Sequence, residues 1–124
     1  AQAVKQADPQ LLLVGLAGSK LIEAGQAAGL RVAAEAFADR AYEPSGALRS
    51  RGLPGALIED DKRSLAQALS IIKYHTTASF DGSLVPVHAQ TICLHSDTPG
   101  AARRAAFLRK GLEKAGVQIQ RLKN

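Results

Sequence analysis

Leu11, Leu12, Leu13 and Val14 form an unbroken apolar run that ends at Gly15. Such a run is the pattern of a short strand buried on both faces of a parallel sheet. A turn of small residues follows, Gly15-Leu16-Ala17-Gly18, and Ser19 stands where its side chain can cap a helix over residues 20–28. Gly29 occupies the position at which helices close in a left-handed conformation. Residues 31–37 then read as a second, alanine-rich strand. Strand, helix and strand in this order make a βαβ unit, which is right-handed almost without exception.

Residues 37–60 hold Pro44, Gly46, Gly52, Pro54 and Gly55 and show no periodicity. A loop of this length inside a compact domain is unusual and typically serves a binding site, so an active-site loop is expected here. Asp60 or Asp61 can cap a helix over residues 62–74, in which Leu65, Leu69 and Ile72 mark one stripe. Strands over 78–80 and 84–87 flank Asp81-Gly82, a hairpin-turn dipeptide, with Pro86 holding that arm at an edge. Residues 91–94 form another buried-type strand that ends at His95. Thr98 as cap and Pro99 as first residue open a helix that runs to about Ala115. Its expected inner stripe is Ala102, Ala105, Leu108, Leu112 and Ala115, with Arg103, Lys110 and Lys114 facing away. Gly116 stops it, and residues 117–119 read as a last short strand. Strands and helices alternate, so the class is α/β, mostly parallel, with one β-hairpin.

The 124 residues suit a single domain. No apolar run approaches the roughly 18 residues that a membrane helix needs. The single cysteine, Cys93, excludes an internal disulfide and makes a reducing, cytoplasmic setting the expectation. There is no methionine, and the opening residues read as a helix already under way, which fits a piece of a longer protein. The net charge of +5 is local. Residues 1–102 hold nine basic and ten acidic side chains, residues 103–122 with Lys123 seven basic and one acidic. Only Phe107 interleaves with that basic stretch, so a solvated helix face explains it more simply than nucleic-acid binding.

In parallel α/β folds ligands lie beyond the carboxyl ends of the strands. That rule selects four places, one of them the hairpin before Ala89. Gly15-Leu16-Ala17-Gly18-Ser19-Lys20 lacks the spacing of a phosphate loop. Gly18 and Ser19 either start a helix or hold an anion at its N-terminus. Glu35 falls within a strand, and Asp39-Arg40 lie just past its end. Either Glu35 or Asp39 forms a structural ion pair with Arg40, or the group is an acid cluster with an arginine clamp for a carboxylate or phosphate. Tyr42 nearby either donates a hydrogen bond to a ligand or packs in the core. His95-Ser96-Asp97 at a strand end is the sharpest constellation, because an imidazole transfers protons near neutral pH and a carboxylate can orient it or hold a metal. His75 and His88 read as surface residues, and Cys93 as a small core residue.

Four blocks make the sequence familiar: Leu12-Leu13-Val14-Gly15-Leu16-Ala17-Gly18-Ser19, Glu35-Ala36-Phe37-Ala38-Asp39-Arg40-Ala41-Tyr42, Pro54-Gly55-Ala56-Leu57-Ile58, and the segment from Thr91 through His95-Ser96-Asp97-Thr98-Pro99 to Ala101. In this order and spacing they closely resemble the LamB/YcsF family. The resemblance implies a distorted (β/α) barrel of the glycoside hydrolase/deacetylase type. It also implies ATP-driven opening of the 5-oxoproline ring to L-glutamate, with ATP and Mg as cofactors and 5-oxoprolinase subunits B and C as partners. The family's N-terminal motifs are missing: an Asp-Leu-Asn-Cys-Asp-like strand, a His-x-Gly-Asp-like turn and a Lys-Pro-His-Gly-like segment. The chain therefore looks like the C-terminal half of the barrel, expected to need the N-terminal half as a partner and to be inactive alone. Under this reading Glu35, Asp39, Arg40, His95 and Asp97 are the expected catalytic residues. Tyr42, Gly18, Ser19 and Thr98 are the expected substrate-binding ones. The runner-up functions are a non-catalytic α/β docking module and a metal-dependent, deacetylase-like hydrolase, with no metal ligands assigned.

Overall fold

The computed structural model describes residues 1–97 and 99–122. In chain order the elements are α1 (Gln2–Ala7), β1 (Leu12–Leu16), α2 (Lys20–Ala27), β2 (Arg31–Phe37), α3 (Asp61–Tyr74), β3 (Thr76–Ala78), β4 (Leu84–Pro86), β5 (Thr91–Cys93) and α4 (Ala101–Lys114). β1, β2 and β5 form a parallel sheet with β2 in the middle, and β3 and β4 pair as an antiparallel hairpin. The α/β class, the βαβ unit and the hairpin are as the sequence predicts. Among the described residues the parallel sheet has three strands and stays open. No described helix is long and apolar enough to cross a membrane.

Register and packing define two unlike faces of the sheet. Leu13 pairs with Val32 and Gly15 with Ala34, so these four share a face with Ala36 and Ile92. α2 lies so close on this face that a Cβ on Gly25 would stand 2.7 Å from both Leu13 and Val32. Farther along, Ala36 and Ile92 pack with Tyr42, Ile71, Val85 and Val87. α3 and α4 extend the same core through Ala38, Ala68, Leu108 and Leu112. The opposite face carries Val14, Ala33, Glu35, Phe37, Thr91 and Cys93, of which Ala33 alone is buried, and among the described residues α2, α3 and α4 set their buried side chains on the other face.

Several boundaries depart from the expected ones. α3 is capped by Asp60, whose carboxylate accepts from the Arg63 N–H at 2.7 Å. Its buried line is Ser64, Ala68 and Ile71, with Leu65, Leu69 and Ile72 half-buried beside it. The first hairpin strand lies two residues earlier than predicted, the second ends one residue sooner, and Asp81-Gly82 sits inside a wider turn. That turn is closed by Ser79 and by the Asp81 carboxylate, which accepts from both the N–H and the hydroxyl of Ser83. α4 begins at Ala101 with Gly100 as its cap, not at Pro99, and the expected Thr98 cap lies outside the described residues. Residues 117–119 are not a strand: the Val117 N–H closes back on the Leu112 carbonyl, and Val117 packs on the helix it has just left.

The inner stripe of α4 also needs correction. Ala102 and Ala105 are exposed, and the buried line is Arg104, Leu108 and Leu112. Arg104, only 7% exposed, donates from Nε to Asp61 at 2.8 Å and from Nη2 to the Glu59 carbonyl. It ties α4 to the start of α3. Elsewhere in the basic stretch, Arg109 pairs with Glu113 on the surface.

Arg104→Ala strands the Asp61 carboxylate and the Glu59 carbonyl and is expected to cost roughly 2 to 3 kcal/mol in urea unfolding; Asp61 is partly solvated, which keeps the loss below that of a fully buried pair. In the hairpin, hydrogen bonds from Ser79 and Ser83 hold the Asp81 carboxyl down at about 2, against an ordinary 3.8. Its contribution to the turn is therefore complete above about pH 4 and is lost as pH falls through about 2. Exchange of the Ser83 amide, followed by NMR, should accelerate selectively across that window, and in Asp81→Ala at every pH.

Candidate functional site

The site is built from the carboxyl end of β2. Beyond Phe37 the chain bends at Ala38 and Asp39, and the next two charged side chains part: Asp39 goes toward the end of β5 and Arg40 toward the Arg49 carbonyl. α3 fixes this stretch with two polar side chains. Ser64, fully buried, donates its hydroxyl to the Ala38 carbonyl at 2.9 Å. Gln67 donates its amide to the carbonyls of Phe37 and Arg40, at 2.7 and 2.8 Å, and accepts from the Thr77 hydroxyl. Tyr42 braces the strand from the side, its Oη accepting from the Phe37 N–H at 2.9 Å. Burial is the main reason its hydroxyl is pushed above the ordinary phenol range.

Asp39, 4% exposed, reaches across to the end of β5. One carboxylate oxygen accepts from the His95 backbone N–H at 2.8 Å, and the other lies 2.9 Å from Nδ1 of the same residue. A carboxylate can only accept, so the proton sits on Nδ1 and leaves Nε2 as the imidazole's free base position. The ring is also stacked on Phe37, with centroids 5.3 Å apart. Asp39 thus holds His95 at both its backbone N–H and its ring, and the stack on Phe37 fixes the plane of the imidazole.

The pair opens into a hollow of about 350 Å³. Asp39, His95 and Asp97 line it together with Arg51, Arg103 and Arg104, and Leu57, Glu59 and Pro99 complete the wall. Asp97 is not the group that orients His95. It meets Arg51 from the 37–60 loop, Oδ2 to Nη1 at 2.9 Å, and that hydrogen bond is what lowers its carboxyl below the usual range. Arg103 lies 3.5 Å from Asp61 and is largely exposed.

The other expected residues have different places. Arg40 is buried outside the hollow, with Nη2 donating to the Arg49 carbonyl at 2.6 Å and Nε without a partner among the described residues. The expected Asp39–Arg40 or Glu35–Arg40 ion pair is absent among the described residues; His95 has Asp39 instead. Glu35 stands half-buried on the uncovered sheet face, two residues before Phe37. Tyr42 is a core residue at 1% exposure. Gly18 adopts φ +72° and Ser19 accepts from the Ile22 N–H, so both serve the start of α2. Thr98 lies outside the described residues. His75 and His88 are exposed, stacked on one another at 5.0 Å. Burial, then the charges of Glu35 and Asp39, raise the Cys93 thiol, which keeps it protonated and a poor nucleophile.

Sequence reasoning missed Arg51, Glu59, Arg103 and Arg104. For Arg104 a signal existed, since it recurs at four-residue spacing with Leu108 and Leu112 and so puts a charge on an apolar stripe. For Arg51, in an irregular loop, there is none.

The fold and site define an α/β protein whose functional groups sit at the carboxyl edge of a parallel sheet, with a histidine–carboxylate pair suited to proton transfer. The chain matches the LamB/YcsF family over residues 1–124 and belongs to it. It is 55% identical over 120 residues to the A subunit of 5-oxoprolinase from Chloroflexus aggregans, covering 97% of this chain and 48% of that protein. It is 48% identical over 122 residues to the A subunit of 5-oxoprolinase from Methylococcus capsulatus, covering 98% and 47%. The crystal structure of the lactam utilization protein from Thermus thermophilus superposes with a TM-score of 0.90 at 40% identity, over 98% of this chain and 48% of that one. The chain thus spans about half the length of the curated relatives it matches.

Gln67 offers a direct check on how the site is held. Gln67→Leu keeps the side chain's bulk but frees two carbonyls and one hydroxyl, an expected loss of about 2 kcal/mol in urea unfolding. The same variant should broaden the His95 imidazole resonances, because Asp39 is carried on the stretch that Gln67 holds.

Proposed function

We propose that this chain carries the proton-transfer site of an ATP-dependent 5-oxoprolinase, which opens 5-oxo-L-proline to L-glutamate. The observation that carries the reading is the Asp39–His95 pair, 2.9 Å apart and open to a small-molecule-sized hollow. The names of the relatives, the A subunit of 5-oxoprolinase and lactam utilization protein, supply the substrate class. Ring opening adds water to the lactam carbonyl, breaks the C–N bond and leaves the ring nitrogen needing a proton. Nε2 of His95 is placed to take the proton from water and return it to that nitrogen, while Asp39 holds the tautomer and stabilises the imidazolium formed between the two steps.

Among the described residues no three His, Cys, Asp or Glu side chains converge on a metal position. The turn before α2 has neither the spacing of a phosphate loop nor a free Ser19 side chain. Neither feature marks an Mg–ATP site among the described residues, and no step of this reading runs through the nucleotide.

The remainder of the barrel, and the B and C subunits, complete this reading. The uncovered face with Glu35, Phe37 and Cys93, and the outer edges of β1 and β5, are unpaired among the described residues. Open edges of this kind call for a partner. An apolar groove of about 730 Å³ beside β5, between α4 and residues 117–122, points the same way. A half-barrel fits these surfaces, and the share of the relatives' length left over is the size of one.

In the full-length protein, combined with its partners, His95→Ala and Asp39→Asn are each expected to lower kcat for ATP-dependent glutamate release by about 10² to 10⁴-fold. His95→Ala leaves the buried Asp39 carboxylate with only the residue 95 backbone N–H, so its thermal unfolding should fall below wild type and turnover is compared at a temperature where the variant is folded. Near-normal turnover in both would remove the pair from the mechanism.

A further inference from the structure

Three arginines line the hollow, and their commitments differ. Arg104 is locked by Asp61 and the Glu59 carbonyl. Arg103 stands at the rim, mostly in solvent and loosely beside Asp61. Arg51 is half-exposed and, among the described residues, donates a single hydrogen bond, to Asp97, which is itself half-exposed. A guanidinium has five donors in a fixed fork, and its best partner is a carboxylate bound through two of them. Arg51 is thus the cation of this hollow that combines access with spare donors. Its present partner is an exposed acid from the β5–α4 connection, 46 residues away in sequence.

We infer that Arg51 binds the substrate's carboxylate and that Asp97 is the internal carboxylate it releases to do so. The inference rests on the function proposed above, and it assigns to the 37–60 loop the choice of an acid over a neutral lactam. His95 and Arg51 then address the two ends of one small molecule: the imidazole serves the lactam and the guanidinium fixes the acid group. A hollow of about 350 Å³ accommodates a five-membered lactam acid, whose carboxylate is the anion assigned to Arg51.

The ion-pair exchange gives the two partners opposite signs. Arg51→Ala removes the receptor, whereas Asp97→Asn removes its competitor. The test is isothermal titration of the full-length protein, combined with its partners and a non-hydrolysable ATP analogue. The probes are 5-oxo-L-proline and 2-pyrrolidinone, the same lactam without the carboxylate. Arg51→Ala should weaken 5-oxo-L-proline by about tenfold to a hundredfold and leave 2-pyrrolidinone unchanged. Arg51→Lys should recover only part of the loss, having lost the fork. Asp97→Asn should tighten 5-oxo-L-proline several-fold. If both Arg51→Ala and Asp97→Asn weaken it alike, the pair is only a strap between two loops and the inference fails. Unchanged binding in Arg51→Ala, or a loss confined to the nucleotide analogue, overturns it as well. Should the wild-type assembly bind neither lactam, the proposed function falls and takes this inference with it.

Discussion

The arrangement depends on how the last residues of β2 are held. A chain that runs past the end of its strand exposes carbonyls that need partners, and here they point toward the helix that covers the sheet. α3 meets them with Ser64 and Gln67, two polar residues on a face that otherwise buries Ala68 and Ile71. Because the carbonyls of residues 37, 38 and 40 are fixed from below, the Asp39 side chain has one direction left, toward β5. Its carboxylate then does for the His95 N–H what the next strand residue would have done, and takes the imidazole with it. The Asp39–His95 pair is therefore set by backbone satisfaction in the core, not by loop contacts at the surface.

Small residues make this geometry possible. Ala36, Ala38 and Ala68 have no exposed surface, and Gly25 and Gly111 lie where a methyl group would press into Leu13, Val32 or Leu65. Helices can then sit close on one face of the sheet and α4 close on α3. Close packing on one side leaves polar and aromatic groups for the other. Alternation along β2 and β5 sends Glu35, Phe37, Thr91 and Cys93 to the uncovered face, continuous with the stacked ring of His95. Chemistry and core are thereby separated by strand parity alone.

That parity also explains what could and could not be read from the residues. Apolar runs, the Asp60 and Ser19 caps and the glycine after α2 are local signals, and they located the parallel strands and three helices to within a few positions. His95 and Asp39 were legible because both follow strand ends. Pairing Asp39 with Arg40 failed for a physical reason: the chain bends at residues 38 and 39, and each side chain is taken by a partner distant in sequence, Asp39 by His95 and Arg40 by the Arg49 carbonyl. Arg40 accordingly turns back on Arg49, and the cation that this loop does bring to the hollow, Arg51, arrives along a path no periodicity encodes. Likewise residues 117–119 have strand composition, but their chain turns back on α4, and tertiary contact overrides propensity.

The charge of the hollow follows from the same geometry. Arg51, Arg103 and Arg104 face Asp39, Glu59, Asp61 and Asp97, so three cations are more than matched by four acids before any ligand arrives. A matched site attracts anions weakly at long range, because its field largely cancels beyond the Debye length. It discriminates at short range, because an incoming carboxylate must offer the guanidinium a better geometry than an exposed aspartate does. Asp39 is exempt from this competition, buried and bound by two donors of one residue. The hollow accordingly contains one fixed carboxylate that holds a base and one exchangeable carboxylate that holds an arginine. Burial is what separates the two, since a pair that water can reach is exchanged at little cost and a pair that water cannot reach is not.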